Sequence, residues 1–597
     1  NHVNNRSTRL QSFLGTGNYE YTEMPMKKFV ALREELDGKY DMIAIMEGTY
    51  STASVKDKNH NTTAIQNDIT SLKLNEIIDS FINKGKPVIV NSNSINSHKG
   101  ILGQLKSHQN KSNVFTYSRL LIWYDFPERE LNSYLNNNVT GPRFSLTAKP
   151  SETTAYRAGE SLSFTFTVQK PEEVRTRDLK ARLSIDSDFN DQYETDEIVK
   201  EIAITSQNST ITFELPKGYS GIRYWKLELI DNGTGFKDYE KGMIKFVDQT
   251  VELKVLQVTP NANYNSSLLK SGNMNQTYLK KTNEYSINID VTNMETFNGS
   301  SGPNSHTQIN GKYDMVIFGF GDEYNKTNLN ANSTHSLETF ISSEQSIMFT
   351  HDTIFQKDGS NSLNYWLNNF KAVSGQMDPK TNLGYGAPHT SNSTSIVNSG
   401  IMTSYPFNME QEREQKSSTA KDIALTHNQY FTLNLEDSKV IPWYNIKSDK
   451  TNQPINQGYR DINDSWNHYY TYSKGNITYS GTGHTNTGFP DWEQKLFVNT
   501  MYRAFLGSNH APVITVLSPK EADVIPSNQH IELAYNIQDF DLKDKKITTM
   551  VYVNDRLVFE QKNVSNGATI VQPIPHGLPE GGNAAIRIEA IDAKGAK

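Results

Sequence analysis

The chain has 597 residues, of which 36% are apolar, 10% aromatic and 21% charged, and its formal net charge is −7. It contains no cysteine, which excludes disulfides, thiolate catalysis and zinc–thiolate sites. The acidic balance, without a basic block, excludes nucleic acid as the expected partner, and no stretch reaches the ~20 consecutive apolar residues of a membrane helix.

Two stretches of the sequence are near-copies of each other. Asp37–Tyr50, DGKYDMIAIMEGTY, returns as Asn310–Tyr324, NGKYDMVIFGFGDEY. Each copy passes through a short apolar run and leaves it at a turn rich in glycine and acid, as a buried strand of a parallel sheet does. The duplication predicts two α/β units, and at ~150 residues per domain the length predicts about four domains in all.

Residues 1–142 are predicted to form the first α/β domain. After a helix near Met26, a strand is expected through Tyr40–Met46, then an amphipathic helix over Leu74–Ile82 that ends at a glycine, then a parallel strand at Pro87–Val90. No strand is predicted ahead of the first helix. We therefore expect this domain to be truncated at its N-terminus and degenerate.

Residues 143–250 are predicted to form an Ig-like β-sandwich, because Leu162–Val168 and Trp225–Leu229 alternate apolar and polar side chains. Inside it, Asp186, Asp188, Asn190 and Glu197 occupy positions 1, 3, 5 and 12 of a calcium-loop pattern. The pattern departs at Asp191, where the sharp turn favours glycine, and strands flank the loop. We predict a Ca²⁺ site on a hairpin; the alternative is a solvated acidic turn.

Residues 251–509 are predicted to form the second α/β domain, from a strand at Val251–Val258 to a helix over 491–506. A long polar insertion, roughly 375–465, is of a kind that usually forms a lid, a binding loop or disorder. Residues 510–597 are predicted to be an Ig-like or fibronectin-like sandwich, truncated at its C-terminus, because Ile531–Ile537 alternates. The fold class predicted is therefore multidomain, with two flavodoxin- or amidotransferase-like parallel sheets alternating with two β-sandwiches.

One segment of the second α/β domain resembles a known family. Its residues are Gly475–Tyr479, Gly483-His484, Trp492, Phe497 and Tyr502-Arg503-Ala504. Together they are similar to the closing segment of the trehalose-utilisation (ThuA-like) branch of the class I glutamine-amidotransferase-like fold. That branch tends to carry a histidine after its central strand, and His351 fits the place. The whole chain also resembles an uncharacterised family of large Gram-positive surface proteins with bacterial Ig-like modules.

The resemblance implies a crevice at the ends of the strands, where His351 and His484 would meet an acid from Asp322, Glu323 or Asp352. The amidotransferase reaction is not implied, because it needs a cysteine nucleophile and Thr350 or His351 stands near that position. Three interpretations stay open: a zinc or iron site, a general acid/base pair, or structural residues that order the loops. The first domain has Asn91-Ser92-Asn93 at the matching place, so we expect it to be inert.

A second candidate surface is aromatic. Trp443, Trp466, Tyr469 and Tyr470 carry rings of the kind that stack on sugars, and the alternative is that they pack the insertion onto the sheet.

Three functions follow from these patterns. The favoured one is a non-enzymatic extracellular or cell-surface protein of Gram-positive bacteria, structural or adhesive, with a cell-wall glycan or a surface protein as partner and no organic cofactor. The alternatives are a carbohydrate-active enzyme that uses His351 and His484, and a glycan-binding module that uses the aromatic rings. The absence of cysteine and the alternation of domains favour the first.

Overall fold

The computed structural model describes the chain from residue 19 to residue 597 with gaps. The described residues are 19–46, 48, 50, 52–56, 62–66, 68–96, 100–120, 123–125, 128–137, 140–320, 324, 327–351, 353–354, 370, 373–376, 392–424, 433–446, 469–483, 488–541 and 546–597. They form a multidomain, β-rich protein with several sheets and few helices.

The first segment holds a four-stranded sheet in the order β1-β4-β5-β6, in which β1, β4 and β5 are parallel. The parallel pairing predicted between the strands near residues 43 and 88 is thus confirmed. Gly85 follows the helical stretch at φ +78°, as predicted for a terminating glycine. The elements are α1 (Met26–Ala31), β1 (Ile43–Ile45), β2 (Thr52–Lys56), β3 (Thr62–Gln66), α2 (Ser71–Ile77) with a π-turn over Ile78–Ile82, β4 (Val88–Asn91), α3 (Ser92–Asn96), a 3₁₀ turn over Leu102–His108, β5 (Val114–Leu120), β6 (Trp123–Asp125) and α4 (Glu128–Asn137).

The second segment consists of two sheets that share one hydrophobic core. Their strand orders are β11-β10-β13-β14-β8 and β12-β9-β7. The alternating side chains of β9 face those of β13, and the rings of Phe164 and Trp225 meet edge to face at 4.8 Å. The elements are β7 (Phe144–Ala148), β8 (Ala155–Tyr156), β9 (Ser161–Val168), α5 (Glu173–Thr176), β10 (Leu179–Asp186), a 3₁₀ turn over Thr195–Glu197, β11 (Ile198–Ala203), β12 (Asn208–Glu214), β13 (Gly221–Asp231) and β14 (Lys237–Phe246).

The third segment is built on a nine-stranded sheet in the order β16-β17-β15-β18-β19-β23-β22-β21-β20. Its five strands from β17 to β23 are parallel, and the strands flanking them are antiparallel. The elements are β15 (Val251–Thr259), a 3₁₀ turn over Gln276–Leu279, β16 (Lys280–Lys281), β17 (Tyr285–Asn293), α6 (Met294–Phe297), a 3₁₀ turn over His306–Gln308, α7 (Ile309–Lys312), β18 (Met315–Phe318), α8 (Ala331–Ser342), β19 (Ser346–Phe349), β20 (Thr394–Ile396), α9 (Ile401–Ser404), α10 (Met409–Gln415), β21 (Val440–Ile446), β22 (Tyr469–Lys474), β23 (Ile477–Ser480) and α11 (Asp491–Leu506).

The described part of the 375–465 insertion is ordered structure, which corrects the expectation of a structureless loop there. Strands β20 and β21 extend the main sheet, and helices α9 and α10 pack against α11. The insertion carries its own buried side chains, such as Met402 and Met409, and these join the core under α11.

The fourth segment consists of two three-stranded sheets around one core, in the orders β24-β25-β28 and β27-β26-β29. The alternation predicted for Ile531–Ile537 is seen in β25, whose alternate residues are buried. The strands are β24 (Val513–Ser518), β25 (Ile531–Gln538), β26 (Lys546–Val553), β27 (Arg556–Ser565), β28 (Thr569–Ile574) and β29 (Ile586–Ile591).

The two copies of the duplicated unit also share one hydrogen-bonding arrangement, in which an asparagine side chain bonds a helix end. Asn113 precedes β5, and its side-chain amide donates to the carbonyls of Ile82 (3.0 Å), which ends the helical stretch before β4, and of Lys86 (2.8 Å) just after it. Asn476 precedes β23, and its amide donates in the same way to the carbonyls of Ile341 (3.1 Å) in the last turn of α8 and of Gln345 (2.7 Å) just after it. An asparagine therefore ties the helix end to the parallel sheet in both copies.

The two copies also pack against each other. One hydrophobic cluster contains side chains from α1, α2 and β4 of the first segment and from β18, β19 and β22 of the third. At its edge the buried guanidinium of Arg33 donates to the carbonyls of Val440 (2.8 Å), Leu435 (3.3 Å) and Asp437 (3.3 Å). The side chain of Asn398 also bridges the segments, since its amide donates to Ala31 and to Pro442.

Candidate functional site

The carboxyl ends of β18, β19 and β23 meet at one edge of the parallel sheet. Gly319 follows β18 at φ +123°, and a Cβ there would lie 2.0 Å from Oγ1 of Thr350 after β19. Gly483 lies beyond β23 at φ +150°, and its Cβ would lie 2.2 Å from Cβ of His351. Glycine is required at both positions, because only a residue without a side chain lets these three strand ends approach so closely.

His351 lies at this edge, as predicted, and its side chain is fully buried. Its backbone N–H donates to the carbonyl of Thr482 at 3.3 Å, which joins the end of β19 to the turn after β23. The other four residues predicted for the crevice, His484, Asp322, Glu323 and Asp352, lie outside the described residues. Their convergence on His351 stays a prediction.

A buried hydrogen-bonded chain runs from this edge to the start of α11. The hydroxyls of Tyr470 and Thr482 are 2.9 Å apart, and Tyr470 donates to Oε1 of Glu493 at 2.7 Å. The hydroxyl of Ser480 donates to Oγ1 of Thr482 at 3.0 Å and extends the chain. The other carboxylate oxygen of Glu493 accepts the N–H of Ala424 at 2.7 Å.

Glu493 is a titratable group that the sequence patterns did not single out for chemistry. Burial raises its pKa to about 7, although hydrogen bonds with Ala424, Tyr470 and Thr482 oppose the rise. From the sequence, its position in the first turn of α11 predicts only that its negative charge interacts favourably with the helix dipole. No local spacing connects Glu493 with Tyr470, because the contact joins a helix to a strand.

The aromatic residues that the structure describes are buried. Trp443, Tyr469 and Tyr470 are 0% exposed, and Nε1 of Trp443 donates to Oγ of Ser473 at 2.9 Å. Sugar stacking needs an exposed ring face. The expectation of an exposed aromatic surface is therefore wrong for these three residues, which pack β21 and β22 into the molecule. Trp466 lies outside the described residues.

The acidic loop 186–197 gathers three of its four predicted ligands. Carboxylate oxygens of Asp186, Asp188 and Glu197 lie within 4.8 Å of one another, and Asp186 and Glu197 are buried. Asn190 is placed differently, since its amide nitrogen donates to Asp188 at 3.1 Å and to Glu194 at 3.0 Å. Its side-chain oxygen accepts the N–H of Gln192 at 2.6 Å, so the Asn190 side chain holds the loop through bonds within the loop.

Backbone N–H groups fix the orientation of the two buried carboxylates. Asp186 accepts the N–H of Asn190 (3.1 Å) and of Asp191 (2.9 Å). Glu197 accepts both the N–H and the hydroxyl of Ser187 at 2.6 Å. Asp191, at the position where the pattern favours glycine, has φ +58°, so the sharp turn is made by an aspartate in the left-handed region.

The electrostatics of the loop oppose three ionised carboxylates. Burial, together with the charge of Glu197, raises the pKa of Asp186 well above its ordinary value. Burial raises the pKa of Glu197 to about 8. Arg503 of α11, in the third segment, interacts electrostatically with the loop: burial lowers its pKa, while Asp188 and Asp186 act to raise it.

The acidic loop lies at the joint between the second and third segments. A Cβ on Gly507, directly after α11, would meet the carbonyl oxygen of Asp188 at 2.8 Å. On the other side of the loop, the amide of Gln192 donates to the carbonyl of Ser438 at 3.0 Å. A cation bound by these carboxylates would therefore lie at the contact between the second and third segments.

Comparisons with known proteins give no family. No family model and no curated protein matches the chain. Among solved structures it is similar to a lytic polysaccharide monooxygenase from Streptomyces lividans, with 14% identity over 16% of this chain and 59% of that one, at a TM-score of 0.13. It is also similar to a polysaccharide deacetylase from Bacillus cereus (11% identity, 36% and 83% covered, TM-score 0.13).

A third likeness covers more of the molecule. A glycosyl hydrolase family 2 member from Bacteroides cellulosilyticus DSM 14838 aligns at 9% identity over 75% of this chain and 62% of its own length, with a TM-score of 0.13. The chain thus spans less than two thirds of this protein and of the monooxygenase. Scores this low do not indicate a shared fold. Among the described residues, no helix combines the length and apolar character needed to cross a bilayer.

Proposed function

We propose that the protein is a non-enzymatic, structural or adhesive surface protein, in which Ca²⁺ on the 186–197 loop stiffens the joint between the second and third segments. The observation that carries the proposal is the buried group of Asp186, Asp188 and Glu197 at that joint. Burial, together with the charges of the neighbouring carboxylates, raises the pKa of Asp186 and of Glu197, and a bound divalent cation would favour their ionised forms. Hard carboxylate oxygens are the ligands that Ca²⁺ prefers. Extracellular Ca²⁺-binding modules have a Kd of about 10⁻⁴–10⁻³ M, and a site of this kind would suit an extracellular, Gram-positive surface location.

Under the same proposal the first and third segments are amidotransferase-like, or ThuA-like, domains without the amidotransferase reaction, and the second and fourth are Ig-like spacers. The parallel strands with glycine-shaped carboxyl ends support this for the third segment. Partner classes remain a surface protein or a cell-wall glycan. A glycan would need a surface other than Trp443, Tyr469 and Tyr470, because these rings are buried.

The calcium proposal is tested by thermal unfolding of the metal-free protein with and without added CaCl₂. A site occupied at a hundredfold excess over its Kd adds about 2.7 kcal/mol to the free energy of unfolding, so we expect the Tm to rise by several degrees. Glu197→Gln removes one ligand charge and should abolish the rise. Glu214→Gln, at an exposed position on β12, is the control and should respond like the natural protein. A natural protein whose Tm ignores calcium would contradict the proposal.

The alternative is a carbohydrate-active enzyme that uses His351 and His484, and the buried chain from Ser480 to Glu493 favours it. Such a chain, ending at a carboxyl with a pKa of about 7, is suited to moving a proton near neutral pH. Against it, His351, Thr482 and Glu493 are at most 2% exposed. Hydrolysis of cell-wall polysaccharide that is lost in His351→Ala, in a protein with unchanged Tm, would establish this alternative.

A further inference from the structure

Three segments meet at the short connection between α11 and β24, residues 507–512. The ring of Tyr219, just before β13 in the second segment, contacts Phe505 of α11 at a centroid distance of 5.1 Å and His510 of the connection at 5.0 Å. The same ring contacts Phe540 of the fourth segment at 5.2 Å. His510 is only 6% exposed. One buried imidazole therefore lies where the second, third and fourth segments touch.

Both ring nitrogens of His510 face an acceptor oxygen. Nε2 lies 2.7 Å from the carbonyl oxygen of Phe505, and Nδ1 is hydrogen-bonded to Oδ1 of Asp541, which follows β25. The other carboxylate oxygen of Asp541 accepts the backbone N–H of His510 at 2.7 Å. A neutral imidazole has one N–H, so only the protonated ring donates in both directions. The two bonds, one to the third segment and one to the fourth, therefore require a positive charge.

The charged groups that face this ring come from the third and fourth segments. Asp539 and Asp541 follow β25, and Asp314 directly precedes β18. Asp541 and Asp314 favour the protonated imidazole, and Asp539 acts together with them on the phenol of Tyr219. Lys254 of β15 acts in turn on Asp314. Because burial raises the pKa of Tyr219, its phenol stays neutral near pH 7, and the imidazole is surrounded mainly by carboxylates.

The charge on His510 makes the joint sensitive to pH. Burial lowers the pKa of His510, but the charges of Asp541 and Asp314 and the hydrogen bonds to Asp541 and Phe505 outweigh burial, and the pKa is raised above its ordinary value of 6.5. A group whose pKa is raised by folding stabilises the folded form fully below its unfolded pKa, and this stabilisation is lost as pH rises through the folded pKa. The neutral ring then keeps only one of its two bonds.

Other hydrogen bonds tie the fourth segment to the third at a different place. The side-chain amide of Asn509 donates to the carbonyl of Ser343 at 3.0 Å and to Asp592 at 2.7 Å. The amide of Asn310 donates to the carbonyl of Gly595 at 2.9 Å. These bonds hold the turn after β29 and do not depend on the imidazole. Loss of the proton therefore loosens the fourth segment without detaching it.

We propose that His510 is a pH-dependent switch at this joint. Protonated His510 fixes the fourth segment against the second and third, and neutral His510 lets the fourth segment move about residues 507–512. The joint is rigid at acidic pH and loosens above pH 6.5. The inference goes beyond the calcium proposal, because none of its titrating groups belongs to the 186–197 loop.

The test measures the distance between the second and fourth segments as a function of pH. Because the natural chain has no cysteine, two substitutions at exposed positions, Thr212→Cys on β12 and Gln561→Cys on β27, place a unique pair of spin labels. Double electron–electron resonance is recorded between about pH 5.5 and pH 9, with EGTA present throughout so that calcium occupancy stays constant. We expect a narrow distance distribution at pH 5.5 and one at least twice as wide at pH 9. An unchanged width would overturn the proposal.

Variants in the labelled chain assign the change to His510. His510→Gln keeps a side-chain donor but has no titrating proton, so its distribution should be the same at both pH values. Asp541→Asn removes the opposing charge and should move the midpoint of the widening down by about one pH unit or more. His335→Gln, at an exposed histidine of α8, is the matched control and should widen like the labelled parent. Widening that persists in His510→Gln would show that another group titrates, which contradicts the proposal.

A measurement on the unsubstituted chain keeps the proposal testable if the variants at positions 510 and 541 do not fold. Exchange of the carbon-bound Cε1–H of His510 with D₂O, followed by mass spectrometry across the same pH range, reports the pKa of the imidazole. We expect a midpoint above 6.5. A midpoint at or below 6.5 would mean that the two bonds do not hold the proton, and the proposal would fail.

Discussion

At the residue scale, burial opposes the ionisation of Asp186 and Glu197 in the acidic loop. The pattern of positions 1, 3 and 12 predicted which carboxylates meet, because a loop of twelve residues brings its own side chains together whatever surrounds it. The pattern did not predict the role of Asn190, whose orientation depends on the neighbouring Glu194. Nor did it predict Glu493 and Tyr470, which are partners only through the packing of α11 on β22.

The raised pKa of Glu197 predicts how stability depends on pH. An acid whose pKa is higher in the folded than in the unfolded protein binds more protons when folded, so the free energy of unfolding falls as pH rises from about 4.5 to about 8. One such group contributes at most about 1.4 kcal/mol per pH unit. We expect metal-free protein to lose stability over this range in urea titrations.

Glu197→Gln supplies the matched comparison, because it removes the titrating group and keeps the shape of the side chain. Its stability should depend less on pH between 5 and 8 than that of the natural chain, and saturating calcium should flatten the natural chain's profile in the same way. A profile that is identical in the two metal-free proteins would mean that Glu197 does not titrate in this window.

At the element scale, the duplicated strand–helix–strand unit was the most predictable part of the fold. Its short apolar runs and the glycine after the helix predicted the parallel pairing of β1 with β4, because those signals are local. Local signals of this kind could not predict whether the rings of Tyr469 and Tyr470 are buried or exposed. Whether a ring faces solvent depends on the neighbouring strand, and β22 lies between β21 and β23 inside a sheet that the insertion extends.

The paired asparagines predict equal consequences in the two copies. Asn113→Ala and Asn476→Ala each leave buried or partly buried carbonyls without their donor, so each should cost about 1–3 kcal/mol of unfolding free energy. Chemical denaturation measures the loss. Asn137→Ala, at an exposed position at the end of α4, is the control and should change stability by less than ~0.5 kcal/mol. A loss in only one copy would show that the ties are not equivalent.

At the scale of the whole molecule, the first and third segments share a hydrophobic core, and no sequence pattern predicted this contact. Sequence boundaries near 142 and 250 mark changes of composition, but they do not show which segments touch after folding. Arg33 illustrates the difference: in the sequence it is one charge on a helical stretch, whereas in the structure burial lowers its pKa to about 10 and its donors reach three carbonyls of another segment.

Arg33→Met tests whether the two copies unfold together. The substitution keeps an apolar stem and leaves the carbonyls of Leu435, Asp437 and Val440 without their donor, so we expect a loss of about 3 kcal/mol. In calorimetry the natural chain should unfold its first and third segments in one transition, and the variant at lower temperature. Arg175→Ala, at an exposed position on α5 of the second segment, should leave that transition in place. Separate transitions in the natural chain would contradict a shared core.

The bonds of Arg33 have a consequence for the order of events during synthesis. Its partners follow it by 402 to 407 residues. At ~5–20 residues per second, a ribosome needs roughly 20–80 s to synthesise these partners. During that time the first segment lacks the residues of the third segment that its hydrophobic side chains and Arg33 contact in the folded protein. The nascent chain therefore needs protection from aggregation, or late folding of its first segment, until the third segment has been synthesised.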